Sequence, residues 1–237
     1  MPKTRWILPA LVAGLLATVA VADEASVKKN FETKFGARAD SVTRSGYLGL
    51  YEIYADGQII YSDEKGSAFI VGPLIDGKTM KNVTQERLNK LNAINWSDLP
   101  LDQAIKQVRG DGKRVLASFE DPNCGYCKRL ARELLKLDNV TVYTFLYPIL
   151  SQDSLDKSKQ IWCAEDRAKA WNDWMVEGRA LNGRADCDTA AIMRNRDFGR
   201  RLNITGTPTL FFADGERIPG AVPLSRIEEK LNQTAGR

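Results

Sequence analysis

The stretch Phe119-Glu120-Asp121-Pro122-Asn123-Cys124-Gly125-Tyr126-Cys127-Lys128-Arg129 joins two segments of different hydrophobic period. Before it, residues 115–119 form a short apolar run that is typical of a buried strand. After it, leucines recur at helical spacing over residues 130–137. The pattern predicts a strand that ends just before Cys124 and a helix that begins there, with Cys127 nearly one helical turn farther on.

A cysteine at a helix N-terminus is activated by its position. Free backbone N–H groups and the helix macrodipole favour negative charge there, so the pKa of the Cys124 thiol should be lowered, and the thiolate is the reactive form. Cys127 should lie beneath it, less exposed, and able to close a small and easily reduced disulfide. This layout is typical of a thioredoxin-like redox site. The alternative is an inert structural disulfide.

The composition excludes several classes of catalyst. The chain has 237 residues and no histidine. Ser-His-Asp catalysis, Cys-His catalysis and His-ligated metal sites are therefore excluded, and Cys124 has to be activated by backbone groups and neighbouring cations. The net charge of +4 is spread along the chain without a long Lys/Arg block, which argues against nucleic-acid binding. We expect neither a cofactor nor a metal.

Residues 1–22 have the pattern of a secretory signal. Lys3 and Arg5 precede an uncharged apolar run over residues 7–21, and Ala20-Val21-Ala22 is a small-residue cleavage site. Cleavage after Ala22 would leave a mature chain in an oxidising compartment, where disulfides persist. The alternative is an uncleaved membrane anchor, for which the apolar run is short.

Residues 23–82 are predicted to form a small N-terminal domain. A helix with an apolar residue at every fourth position (Val27, Phe31, Phe35) precedes a β-rich segment over residues 42–75, in which Asp56-Gly57 signals a tight hairpin. A domain of this size buries little surface alone, so oligomerisation is a natural way to stabilise it. A linker helix is expected within residues 83–100.

Residues 101–237 are predicted to form the second domain. Following a short helical piece over residues 101–108, the expected order is the strand and helix around the cysteines, a strand over residues 140–146, helical segments over 154–174 and 188–201, two strands joined at Asp214-Gly215, and a last helix with a capping box from Ser225 to Glu228. This order predicts a thioredoxin-like α/β domain with a helical insert, within a chain that is α+β as a whole.

The second cysteine pair is separated by a long stretch of chain. Four cysteines allow three pairings, and the redox pairing of Cys124 with Cys127 leaves Cys163 with Cys187. A bridge that closes a loop of roughly 25 residues contributes about 3.5 kcal/mol by the chain-entropy model, so we interpret it as structural. The alternative, a tetrathiolate zinc site, requires two closely spaced cysteine pairs.

Thr207-Pro208 is the second signal of a redox site. A proline that leads into a strand removes a hydrogen-bond donor from the sheet, and a cis peptide bond would explain its presence. The free backbone groups of Thr207 could then pair with an extended substrate segment. The alternative is a trans proline at a strand start.

Three polar residues precede the cysteines, namely Ser118, Glu120 and Asp121. An acidic neighbour would raise the pKa of Cys124, whereas Lys128 and Arg129 would lower it. The same charges could equally form a solvated rim around the site, which is the interpretation that the sequence favours.

With these motifs in hand, the chain resembles the periplasmic disulfide isomerases of the DsbC/DsbG family. The resemblance covers almost the whole length and includes the leader, the small β-rich domain, the linker helix and the region of the redox cysteines. The Gly125-Tyr126 pair is similar to the DsbC branch, since a proline follows the first cysteine in the DsbA oxidases. Further matches are Ile161-Trp162-Cys163-Ala164, Ala170-Trp171, Cys187-Asp188, Thr205-Gly206-Thr207-Pro208 and Pro219-Gly220.

The resemblance implies a homodimer whose cystatin-like N-terminal domains pair by strand addition. It implies that Cys124 attacks and Cys127 resolves, that Pro208 is cis, and that the second cysteine pair is a structural disulfide. Gly125, Tyr126, Thr207 and Pro208 would contact the substrate. A membrane reductase of the DsbD type would supply electrons. Ser118 departs from classical thioredoxins, which carry a buried acid at that position, and this leaves the proton acceptor for Cys127 open.

The function that follows is a periplasmic protein disulfide isomerase. Its substrates would be misfolded secreted proteins with wrong disulfides, which the Cys124 thiolate would attack to form a mixed disulfide. An accompanying chaperone activity is expected. The alternatives are a dithiol oxidase and a holdase chaperone that grips unfolded chains without redox chemistry.

Overall fold

The computed structural model describes residues 18–235. Two compact units make up the chain, of which the first ends at Thr84 and the second begins at Gln85. Residues 1–17 of the predicted signal lie outside the described residues, and helix α1 (Thr18–Phe35) begins ahead of the predicted cleavage site. Over residues 18–235, no helix is long and apolar enough to cross a membrane.

The first unit packs α1 against a four-stranded antiparallel sheet whose strands follow the order of the sequence. Its strands are β1 (Ser41–Arg44), β2 (Tyr51–Ala55), β3 (Gln58–Ser62) and β4 (Phe69–Val71). The predicted hairpin at Asp56-Gly57 is confirmed, because both residues have a positive φ and join β2 to β3.

The core of the first unit lies between α1 and the sheet. Val27 and Phe31 are buried against Tyr51 and Ile53 of β2, as their spacing on the helix predicts. Phe35 belongs to the same stripe but is 49% exposed, and its ring stacks on Phe31 at the edge of this core.

The second unit contains a five-stranded mixed sheet in the order β5-β7-β6-β8-β9. Its strands are β5 (Ile105–Arg109), β6 (Arg114–Glu120), β7 (Val140–Leu146), β8 (Thr209–Phe212) and β9 (Arg217–Pro219). Its helices are α2 (Val83–Leu91, which crosses the boundary between the units), α3 (Gly125–Leu134), α4 (Gln152–Trp162), α5 (Arg167–Met175), α6 (Ala190–Arg201) and α7 (Leu224–Thr234).

Strand β6 is central and positions the site. It pairs in parallel with β7 and antiparallel with β8, so the carboxyl ends of β6 and β7 meet at one edge of the sheet. Helix α3 leaves that edge and packs Leu130 and Leu134 against Leu116 of β6. The opposite face of β6 buries Phe119, which stacks on Phe145 of β7 at 4.7 Å. The loops that follow β6 and β7 are therefore held beside each other by a rigid two-sided core.

Two local predictions are wrong. The helical piece expected over residues 101–108 is a 3-10 turn at Leu101–Gln103 followed by strand β5, because pairing along β7 alternates the buried Ile105 with the exposed Lys106. The expected capping box is absent, since α7 starts at Leu224, directly after Pro223, and no side chain caps it. Tertiary pairing and a proline override the local signals in these two places.

Candidate active site

Cys124 occupies the N-cap position of α3. Its Sγ accepts a hydrogen bond from the backbone N–H of Cys127 at 3.3 Å, which is the arrangement that a capping oxygen would make elsewhere. The Cys124 side chain is 6% exposed. The N-terminus of the helix thus points its unpaired donors at a sulfur that remains in contact with solvent.

The pKa of the Cys124 thiol is lowered to about 5, chiefly because the Cys127 thiol donates a hydrogen bond to the Cys124 sulfur. The side chain of Thr207 and the backbone N–H groups of Cys127 and Tyr126 act in the same direction, while burial opposes them. Cys124 is therefore a thiolate at neutral pH, and hence nucleophilic.

Cys127 has the opposite character. Its side chain is fully buried, and burial is the main reason that the pKa of its thiol is raised, with the negative charges of Glu120 and Cys124 acting in the same direction. Both cysteines are free thiols in this structure. The pair therefore holds one ionised nucleophile that is 6% exposed and one fully buried, protonated partner.

The Thr207-Pro208 bond is cis and lies against the cysteines. The Sγ of Cys124 lies 3.3 Å from the carbonyl oxygen of Thr207, across 83 residues of sequence. The carbonyl of Pro208 accepts a hydrogen bond from the backbone N–H of Gly220 at 2.7 Å, which fixes the loop from behind. Gly125 and Tyr126 are exposed next to the sulfur, and Tyr126 is 61% exposed.

The interpretation of the preceding polar residues as a solvated rim is wrong. Ser118, Glu120 and Asp121 are all completely buried. The carboxylate of Asp121 accepts hydrogen bonds from the backbone N–H groups of Ile149 and Leu150 at 2.8 and 3.0 Å, and so ties the loop after β7 to the loop that carries Cys124.

Glu120 is buried without such partners. Neither of its carboxylate oxygens has a hydrogen-bond partner, and burial raises the pKa of this carboxyl to about 8; the Ser118 hydroxyl beside it acts in the opposite direction, and the charge on Cys124 raises it further. Side chains of β6 alternate between the two faces of the sheet, and this alternation indicates on which face Glu120 lies. Glu120 shares its face with Leu116, and that face is covered by α3.

The loop after β7 carries an exposed apolar pair that is not among the predicted site residues. Ile149 and Leu150 are 37% and 56% exposed at the end of the loop that Asp121 holds. Their position directly after β7 indicates that they lie near the loop after β6, because the carboxyl ends of parallel strands meet at one edge of a sheet. Asp121 ties them to the loop that carries Cys124, next to which Tyr126 is also exposed.

Two family models match this chain. The model described as a thioredoxin-like domain matches residues 101–235, and the model described as the disulfide bond isomerase protein N-terminal domain matches residues 18–85. A protein from Bordetella parapertussis with the name "Probable thiol:disulfide interchange protein DsbC" is 49% identical over 207 residues, which are 87% of this chain and 73% of that protein. The chain belongs to the DsbC family. It is a thiol:disulfide oxidoreductase, and the predicted resemblance and fold class are confirmed.

Other DsbC relatives cover nearly the whole chain. The thiol:disulfide interchange protein DsbC of Escherichia coli K12 is 28% identical over 238 residues, which are 98% of this chain and 96% of that protein. A crystal structure of a disulfide interchange protein from Neisseria gonorrhoeae is 41% identical, has a TM-score of 0.55, and covers 59% of this chain and 100% of its own.

The second cysteine pair of this DsbC-family chain lies in the helical insert. Cys163, at the end of α4, and Cys187, before α6, form a disulfide with a Cα–Cα distance of 5.6 Å. Their sulfurs are bonded to each other and are not available as zinc ligands. Within the described residues, no group of three or more Cys, Asp or Glu side chains is arranged to hold a metal ion.

Trp174 of α5, in the helical insert, holds the loop that precedes Cys124. The indole N–H of Trp174 donates a hydrogen bond to the carbonyl of Pro122 at 2.7 Å, just ahead of Cys124. The ammonium groups of Lys128 and Lys157 lie 4.3 and 4.8 Å from the centre of its ring. No local pattern marked Trp174, because only the packing of α5 brings it to the loop.

Proposed function

We propose that this chain is a protein disulfide isomerase of the periplasm that acts on misfolded secreted proteins with wrong disulfides. The observation that carries the proposal is the asymmetry of the two thiols: Cys124 is ionised and reachable at the helix N-terminus, whereas Cys127 is protonated and buried. Membership of the DsbC family supports the same activity. The periplasmic location rests on the predicted signal, with cleavage after Ala22.

The reaction begins when the Cys124 thiolate attacks one sulfur of a substrate disulfide. The substrate S–S bond breaks, a Cys124–substrate bond forms, and the other substrate sulfur leaves as a thiolate. A different substrate thiol can then displace Cys124, which gives a rearranged disulfide and regenerates the enzyme. Otherwise Cys127 displaces the substrate, and the enzyme is left oxidised.

The second route makes an electron donor necessary. An enzyme with a Cys124–Cys127 disulfide cannot attack a substrate, so it has to be reduced again in an oxidising compartment. We propose a membrane reductase of the DsbD type as that donor. No cofactor takes part in this scheme, because each step exchanges one disulfide for another.

The substrate is expected to bind as an extended segment. The carbonyl of Thr207 next to the sulfur and the exposed backbone of Gly125 offer polar contacts, while Pro208 shapes the loop. Tyr126 and Leu150 provide exposed apolar area of the kind that an unfolded chain covers. An accompanying chaperone activity follows from the same surface.

The first unit is proposed to form the dimer. Strand β4 lies at an edge of its sheet and pairs with β3 on one side, and its residues Ile70 and Val71 are 51% and 68% exposed. An exposed apolar edge of this kind is a template for strand addition. We therefore place the contact between the two copies along β4.

The decisive experiment is the recovery of a test protein whose disulfides have been scrambled. The reduced full chain should restore the native pairs, and Cys124→Ser should abolish this activity. A holdase without redox chemistry would lose nothing in Cys124→Ser. A dithiol oxidase would oxidise a reduced substrate yet fail to recover the scrambled one.

The dimer is tested by Val71→Lys, because a charge on an edge strand opposes pairing. Leu48→Lys is the matched control, since Leu48 is 91% exposed in the same unit but lies outside the strands. Sedimentation should show monomers for Val71→Lys and dimers for Leu48→Lys. Dimers for both variants would remove β4 from the interface.

A further inference from the structure

We propose that Glu120 is the base that takes the proton from Cys127 when Cys127 resolves the mixed disulfide, and that the charge on Cys124 controls when it can do so. The inference rests on the proposed function and identifies a group that the reaction needs. The thiolate of Cys127 is the attacking form, and a buried thiol has to pass its proton to an acceptor inside the protein.

The alternation of β6 places Glu120 beneath the cysteine pair. Leu116 faces α3, and Phe119 faces the opposite side of the sheet. Glu120 lies four residues after Leu116 and therefore shares its face. Cys127 lies on the inward side of α3, fully buried. Both side chains therefore lie on the side of the sheet that α3 covers, close enough for the Glu120 carboxylate to act on the Cys127 thiol.

Glu120 has no structural task that would explain a buried acid. Both of its oxygens lack a hydrogen-bond partner, although a buried polar group is normally paired. Asp121, its neighbour, is different, because backbone N–H groups of Asn123, Ile149 and Leu150 satisfy its carboxylate. An acid that is buried at an energetic cost, without partners and beside two reactive sulfurs, indicates a role in the chemistry.

One titratable group, Cys124, acts on the Glu120 carboxyl, and the Glu120 carboxylate in turn acts on the thiol of Cys127. In the resting reduced enzyme, the thiolate charge of Cys124 and the dry surroundings keep Glu120 protonated. Formation of the mixed disulfide removes the thiolate charge, so the Glu120 carboxyl releases its proton to water more readily.

The resolving step then balances. Cys127 transfers its proton to the Glu120 carboxylate, and its sulfur attacks the Sγ of Cys124. The Cys127–Cys124 bond forms, the Cys124–substrate bond breaks, and the substrate sulfur leaves as a thiolate. The enzyme dithiol is oxidised, and the substrate sulfurs are reduced. A base that appears only after the mixed disulfide has formed couples resolution to the first attack.

The test separates the two thiol steps with a small aromatic disulfide whose thiolate product is coloured. The first equivalent of thiolate reports the attack by Cys124, and the second reports resolution by Cys127. Glu120→Gln should release the first equivalent within about twofold of the unmodified rate, and slow the second about tenfold or more, because the base is lost. The pH profile of the second step should also lose the ionisation assigned to Glu120.

Glu133→Gln is the matched control, because Glu133 lies on the outer side of α3, where it pairs with Lys136. It should change neither step. Equal rates of second release in Glu120→Gln and the unmodified enzyme, or equal slowing of both steps, would overturn the proposal. Failure of the unmodified enzyme to recover a scrambled protein would instead contradict the isomerase function. The reaction with the small disulfide does not depend on isomerase activity, so the two failures can be distinguished.

Discussion

A buried carboxyl group with a raised pKa makes the stability of the second unit depend on pH in a defined direction. Burial raises the pKa of Glu120 from 4.5 to about 8. Between these values the folded chain keeps a proton that the unfolded chain has released. Stability from this group is therefore fully present below the unfolded pKa and is lost as the pH rises through the folded pKa. Glu120→Gln removes this dependence.

The size of the effect follows from the pKa shift. Each pKa unit corresponds to about 1.4 kcal/mol. At a pH of about 7, the raised pKa of Glu120 lowers the free energy of unfolding by about 3 kcal/mol. At a pH of about 5, it lowers the same free energy by less than roughly 1 kcal/mol. We expect the reduced Glu120→Gln protein to exceed the unmodified protein in stability, by an amount that grows over this range.

The assay is denaturant unfolding of the reduced protein, followed by tryptophan fluorescence. Trp96, Trp162, Trp171 and Trp174 all belong to the second unit, so the signal reports the unit that contains Glu120. Comparing the variant with the unmodified protein at each pH cancels the opposite contribution of the Cys124 thiolate. A stability difference that does not change with pH would refute the reasoning, because Glu120 would then be ionised or hydrated inside the fold.

Three further predictions concern other groups. Alkylation of Cys124 in the reduced protein should show a midpoint at a pH of about 5, because its pKa is lowered to about 5. The double change Cys163→Ser with Cys187→Ser should cost about 3.5 kcal/mol of unfolding free energy in denaturant titrations, because a bridge over 24 residues is lost. Lys230→Ala should lower the free energy of unfolding by about 3 kcal/mol in the same titrations, because Asp214 and Glu216 lose their buried ammonium partner.

Each of these has a clear contrary result. An alkylation midpoint near that of a free thiol would mean that the helix N-terminus and Cys127 do not stabilise the Cys124 thiolate. Full stability without the Cys163–Cys187 bridge would remove its structural role. A loss below about 1 kcal/mol in Lys230→Ala would show that the carboxylates are hydrated once the lysine is gone.

The cysteine site could be predicted from the sequence because its determinants are local. The change of hydrophobic period at residue 119 fixes where β6 stops and α3 starts, and the spacing of Cys124 and Cys127 places both at that junction. The hairpin at Asp56-Gly57 is local in the same sense, since two adjacent residues with positive φ define it. Such features depend on a short segment of the chain, in which the hydrophobic period and the turn residues determine the backbone conformation.

The tertiary structure decided what surrounds the cysteines. The contact of Cys124 with Thr207 joins residues that are 83 positions apart, and the support from Trp174 depends on how the insert folds back. The local sequence favours an exposed Glu120 because acids are usually solvated. It favours a helical piece where β5 lies because the strand that pairs with β5 is far along the chain. Burial and strand pairing are set by which elements pack together, and a local window does not contain that information.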